Sequence, residues 1–115
     1  MTDHELDKLL ADVAGYTEEN GTLFIDGEYI ALISREHGHL RWTPLTDHNQ
    51  MYLVETGLSK KGFTIMLKFW AISGESGYKN YTVELDDHAG HIYCAGHKDK
   101  LRTIGLAVSQ MKGGM

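Results

Sequence analysis

The chain has 115 residues, 42% of them hydrophobic and 23% charged, with 13 Gly and one Pro. These proportions exclude wholesale disorder and collagen-like or low-complexity sequence, and the length suits a single compact domain. The formal charge of −5 comes without a cluster of bases, which argues against direct nucleic-acid binding, because phosphate demands a basic footprint.

The charge is uneven. Residues 1–30 hold eight acids (Asp3, Glu5, Asp7, Asp12, Glu18, Glu19, Asp26, Glu28) against Lys8, a net of −7, while residues 31–115 hold eight acids and ten bases, a net of +2. The structural reading of the acidic third is a solvated helix face and hairpin. The functional reading is an anionic surface that docks on a basic partner or imitates nucleic acid. Cys94 is the single cysteine, so no internal disulfide forms, which fits a reducing compartment. No apolar run approaches the ~20 residues of a membrane span. The opening MTDHELDKLL is too acidic and polar for a secretory leader, so a cytoplasmic location without membrane association is expected.

Thr2-Asp3-His4-Glu5 has the form of a capping box, and Leu6, Leu9, Leu10 and Val13 then recur at helical spacing, which predicts a first helix over about 3–14 with Gly15 at its end. Asp3, Glu5 and Asp7 sit at the positive end of its dipole. Leu23-Phe24-Ile25, Asp26-Gly27 and Tyr29 to Ile33 predict a hairpin over 22–34, since Asp-Gly suits a type I′ turn. Ser34 to Arg41 is polar with Gly38 and is expected to be a loop.

Pro44 disfavours helix before itself, and Thr46 or Asp47 can cap a helix over about 47–57, with Met51, Val54 and Leu58 as its stripe and Gly57 as its stop. Residues 62–72 alternate: Phe63, Ile65, Leu67, Phe69 and Ala71 on one face, Thr64, Met66, Lys68, Trp70 and Ile72 on the other. Tyr81, Val83 and Leu85 begin a second run, and Ile92 and Cys94 a third, with turns at 73–77 and 87–90. These predict an antiparallel meander. Leu101, Ile104, Val108 and Met111 predict a last helix, capped by Asp99 and ended by Gly113-Gly114. The expected class is α+β, with elements in the order α-β-β-α-β-β-β-α: hairpin and meander in an antiparallel sheet covered by two or three helices. No internal repeat is read.

The opening Met1-Thr2-Asp3-x-Glu5-Leu6-x-x-Leu9, the segment Trp42-x-Pro44-Leu45-Thr46-Asp47 and the helix after the strands resemble small bacteriophage and prophage proteins grouped as the phage ABA sandwich domain. That resemblance implies a phage origin and a layered fold, and it transfers no catalytic residue. In physical terms the indole of Trp42 supplies buried area on the order of 2–3 kcal/mol, Pro44 fixes the approach of the chain, and Thr46-Asp47 caps the helix. This is a structural staple; the alternative is a ligand-stacking Trp.

Seven His residues are many for this length. Asp86-Asp87-His88-x-x-His91 could offer a divalent metal two imidazoles and a carboxylate, but spacing across a β-turn does not set both rings on one face. Solvent-facing turn histidines are the structural reading, and no metal or cofactor is assigned. Cys94 on a strand reads as a small core filler, and thiol chemistry with His91 or His97 is the minor alternative. No nucleophile elbow or P-loop occurs, and no catalytic residue is assigned. Met66, Trp70 and Ile72, with Tyr78 and Tyr93 near by, read as ordinary core if both sheet faces are covered and as an interface if one is open.

The leading expectation is a non-enzymatic phage or prophage accessory protein that binds a host protein with a basic surface, through Glu18, Glu19, Asp26, Glu28 and Trp70, in host takeover or anti-defence such as inhibition of a CRISPR complex. Two alternatives stay open. One is a sponge for a nucleotide immune signal, with Trp70, Tyr93, Arg41, Lys100 and Arg102 around the ligand; the other is a small metal-dependent enzyme at His88 and His91. Self-association into a homodimer is also left open.

Overall fold

The computed structural model describes residues 2–16, 22–26, 29–34, 38–71 and 79–113. They form α1 (Asp3–Val13), β1 (Thr22–Asp26), β2 (Tyr29–Ser34), β3 (Gly38–Arg41), α2 (His48–Lys60), β4 (Thr64–Ala71), β5 (Lys79–Asp86), β6 (Ile92–His97) and α3 (Lys100–Gly113). The class is α+β, and the expected helices, hairpin and meander occur in the expected order. The hairpin and the meander belong to two separate antiparallel sheets, β1-β2-β3 and β4-β5-β6. The chain divides into two compact units, Met1–Leu58 and Ser59–Met115. Among the described residues no helix is long and apolar enough to cross a membrane.

In the first unit, Thr2 caps α1 by accepting the Glu5 amide at 3.2 Å. The helix closes with Gly15 at φ 94°. There the Gly15 amide donates to the Asp12 carbonyl and the Tyr16 amide to that of Ala11, a Schellman arrangement that needs a left-handed residue at that point. Its buried residues Leu6, Leu10, Ala11 and Val13 lie on one stripe, and α1 packs against β2, whose Ile30 and Leu32 are buried. In the hairpin Asp26 pairs with Tyr29; Gly27 of the turn expected at Asp26-Gly27 lies outside the described residues.

The loop expected over Ser34 to Arg41 is corrected: Gly38–Arg41 is a strand that pairs antiparallel with Ala31 to Ser34 of β2. Four residues suffice because β3 needs only a partner edge for its backbone, not an apolar stripe of its own. Trp42 follows directly, is buried, and donates its amide to the Ile30 carbonyl at 2.8 Å. Gln50 fastens its two neighbours, accepting the Thr43 amide at 2.6 Å and donating to the Arg41 carbonyl at 2.7 Å. Asp47 caps α2, accepting the amides of Asn49 and Gln50 at 2.9 and 3.2 Å.

Gly57 does not end α2, contrary to the reading of it as a stop; the helix runs to Lys60 and the left-handed Gly62 (φ 93°) follows it. A Cβ at Gly57 would stand 2.0 Å from the Val13 carbonyl oxygen. The glycine is therefore where two helix backbones meet, a packing role that sequence spacing does not separate from a terminator.

In the second unit β5 pairs with both neighbours: Val83 faces Leu67 and Ala95, Leu85 faces Ile65 and Tyr93, and Tyr81 faces Phe69 and His97. The α3 helix lies on β5 and β6, and Val83, Leu85, Leu101, Ile104, Ala107 and Val108 are buried. Its start is locked by Asp99, which accepts the Leu101 and Arg102 amides at 3.0 and 3.3 Å. The buried Thr103 donates to the Asp99 carbonyl at 2.7 Å.

Each sheet is thus a three-stranded meander followed by a helix with an Asp cap. Gly38-His39-Leu40 begins β3 and Gly90-His91-Ile92 leads into β6, with positive φ at both glycines. The caps stand at matching distances, 38 to 47 and 90 to 99. The architecture repeats where no sequence repeat was read, because apart from these few positions the side chains differ.

Candidate functional site

The acidic surface is placed in part. On α1, Asp3, Glu5 and Asp12 are exposed and Asp7 is half-buried; Glu5 and Asp12 lie opposite the buried apolar stripe, Asp3 and Asp7 beside it. Of the residues expected to bind a partner, Glu18, Glu19 and Glu28 lie outside the described residues. Asp26 ends β1 opposite Tyr29, and Trp70 sits on β4 opposite Asn80; both side chains lie outside the described residues.

The second sheet has one face on α3 and one open. Thr64, Met66 and Lys68 alternate onto the open face, with Thr82, Glu84 and Asp86 beside them on β5 and Ile92, Cys94 and Gly96 on β6. Met66 is 48% exposed, which corrects the core reading for this residue; the Trp70 side chain, Ile72 and Tyr78 lie outside the described residues. Tyr93, expected near this patch, alternates onto the α3 side. Cys94 is also exposed, not a core filler. Burial of Met66 and Cys94 depends on which face of the sheet receives the helix, and alternation alone does not say. Met66, Lys68, Thr82, Glu84, Cys94 and Gly96 line an open cavity of about 480 Å³. The missing side chain of Gly96 makes room, and the charges of Lys68 and Glu84 offset each other.

On the α3 side, β4 stands beyond the helix. Leu67 is 37% and Phe69 53% exposed, and Phe69 leans on Tyr81 with ring centroids 4.8 Å apart. The outermost strand of this sheet therefore shows apolar side chains on both faces.

Two of the seven histidines, His88 and His91, stand at the β5–β6 turn without converging. His88 adopts φ 60°, held by its amide bond to Asp86 Oδ1 at 2.8 Å and by Nε2 against Thr64 Oγ1 at 2.6 Å. Asp87 Oδ1 accepts the Ala89 and His91 amides at 2.7 and 3.1 Å, and His91 Nδ1 sits 3.0 Å from Asp87 Oδ2. The Ala89 amide is the largest influence holding the Asp87 carboxyl below its usual pKa; desolvation opposes it and the amide and ring of His91 assist.

A hydroxyl on an imidazole whose other nitrogen faces a carboxylate is the geometry of an activated nucleophile. Here His88 Nδ1 is 3.9 Å from Asp86 Oδ2, too long for a hydrogen bond, and the side chains are 59% and 41% exposed, where water screens the pair. The contacts clasp the turn to the start of β4. Sequence reasoning missed Thr64, which lies 24 residues from His88 and carries no motif. His97 has a structural task, since its Nδ1 accepts the Asp99 amide at 3.0 Å and so steadies the α3 cap.

Among the described residues no group of three or more His, Cys, Asp or Glu side chains is placed to hold a metal ion. Of the residues named for a nucleotide pocket, Arg41 ends β3 in the first unit, Tyr93 lies on β6 beside His91 and Lys100 and Arg102 are on α3 in the second, and the Trp70 side chain lies outside the described residues. Comparison of the chain with protein families, with curated proteins and with solved structures gave no match.

Proposed function

We propose that this chain is a small phage- or prophage-encoded accessory protein that performs no reaction and acts by binding a host protein, in host takeover or in evasion of host defence such as inhibition of a CRISPR complex. The observation that carries this reading is the acidic exposure of α1, where Glu5 and Asp12 share the outward side with Lys8 and Asp3 is exposed in the first turn, within a segment of net charge −7. A fixed helix presents these charges without ordering cost on binding, and the net negative segment attracts a basic partner surface. The resemblance through Trp42-x-Pro44-Leu45-Thr46-Asp47 supplies the phage setting. The site of action in this reading is the host cytoplasm.

The test is affinity capture from host lysate across a salt series, read by mass spectrometry, with the wild-type chain and with Asp12→Lys/Glu18→Lys/Glu28→Lys. Loss of a specific captured protein in the variant, with a flatter salt dependence, supports the reading. Equal capture with equal salt dependence overturns it.

A further inference from the structure

The geometry points to β4 as the edge through which two copies of this chain pair, antiparallel, about a two-fold axis at Leu67. This goes beyond the proposed function and does not depend on any host target.

The first argument is the state of the edge. β4 is an outer strand of its sheet and, among the described residues, pairs only with β5. Outer strands that must stay single are usually guarded by charges, Pro, bulges or short length. β4 runs for eight residues, TIMLKFWA, with one charge and no Pro or Gly. Met66, Leu67 and Phe69 are exposed along it.

The second argument is self-complementarity, which selects a second copy over an unrelated peptide. In a continuous antiparallel sheet, facing residues must lie on the same face. With Leu67 opposite Leu67 of the other copy, Ile65 faces Phe69 and Met66 faces Lys68. On the α3 side this joins Ile65, Leu67 and Phe69 of both copies into one apolar row. On the open face it sets Lys68 of one copy beside Met66 of the other, and the next residue in that row is Glu84, which pairs with Met66 across β4 and β5. The Lys stem covers the Met side chain and its ammonium reaches toward Glu84; the axis makes this exchange twice. Shifting the axis by one residue puts Lys68 opposite Lys68, a repulsive pair. The charge pattern therefore favours a second copy and disfavours an axis at Lys68, while strand length disfavours an axis at Met66, which would pair only Thr64 to Lys68 of β4 where the axis at Leu67 pairs Thr64 to Trp70. An interface built on one strand belongs to the small, reversible class, below about 1,200 Å², so the dimer dissociates on dilution.

The experiment uses the full chain. Sedimentation or light scattering over a concentration series is expected to show a mass rising toward twice the 12.9 kDa chain. Register is read by disulfide trapping in a Cys94→Ser background under a mild oxidant. Residues facing each other across the axis lie about 5 Å apart, within disulfide reach. Leu67→Cys is therefore expected to convert to a covalent dimer, while Lys68→Cys and Phe69→Cys stay largely monomeric. Lys68→Glu should weaken the dimer and Lys68→Glu/Glu84→Lys restore it. A wild-type mass that stays monomeric at every concentration overturns the inference. So does trapping through Lys68→Cys in preference to Leu67→Cys, or a dimer indifferent to all three cysteine positions.

Discussion

The indole Nε1 of Trp42 donates to the main-chain carbonyl of Asp7 at 2.8 Å, across 35 residues of sequence. Tyr16 meets the same indole edge-on, with ring centroids 5.6 Å apart. One side chain therefore joins the first helix, through its backbone, to the segment that leads into α2. Trp42→Phe removes the donor and some buried area, and is expected to cost about 1–2 kcal/mol. Trp42→Ala is expected to cost about 3–5 kcal/mol. Urea denaturation followed by circular dichroism measures both, and equal stability of wild type and the Ala variant would show that the staple is dispensable.

Gly57→Ala is expected to destabilise the protein although Ala is the better helix former by about 1 kcal/mol. The added Cβ would overlap the Val13 carbonyl oxygen, backbone that cannot swing aside, so α1 and α2 must separate. A net loss of about 2 kcal/mol or more is expected. A melting temperature for Gly57→Ala at or above wild type would refute the close approach.

Asp47→Ala and Asp99→Ala each uncap a helix and are expected to cost about 1 kcal/mol. The Asp99 variant should lose more than the Asp47 variant, because the His97 ring and the Thr103 hydroxyl are both seated on the Asp99 backbone. Thermal melts of the two variants and their pair give the ranking. Additive effects are expected in the double variant, since the caps share no partner.

Asp87 gives the turn an acid sensitivity. Its carboxyl has a folded pKa below the ordinary value, chiefly through the Ala89 amide with help from His91. The stabilisation is therefore present above the ordinary carboxylate range of about 4 and disappears as pH falls through the lowered folded value. Amide signals of Ala89 and His91, followed by NMR through an acid titration, should shift together in that window. In Asp87→Asn the shared transition should vanish. Its persistence would assign the titration to another group.

The legible part of this molecule was local. The Thr2, Asp47 and Asp99 caps, the stripe of α1 and the alternation of β4 each declare themselves within a few residues, because capping and periodicity are short-range. The strand Gly38–Arg41 did not, since Leu40 is its one large apolar side chain and no alternation marks it, while the edge of β2 is what it pairs with. Gly57 was read as punctuation because a glycine that ends a helix and one that admits a neighbouring backbone look alike in one dimension. Exposure of Met66 and Cys94 was undecided by alternation, which sorts residues onto two faces without saying where α3 lands. The clasp between Thr64 and His88 needs the sheet register before it can be seen at all. Of the acidic patch, sequence located the charge, and the structure fixes only the α1 share of it.

The solitary thiol at Cys94, outward on β6, makes the native chain a ready reporter. A maleimide dye or nitroxide attached there carries one label per molecule with no engineering, seated on the uncovered side of the sheet. Any molecule that settles over that side would announce itself as a quenched emission or a broadened spectrum, before its identity is known.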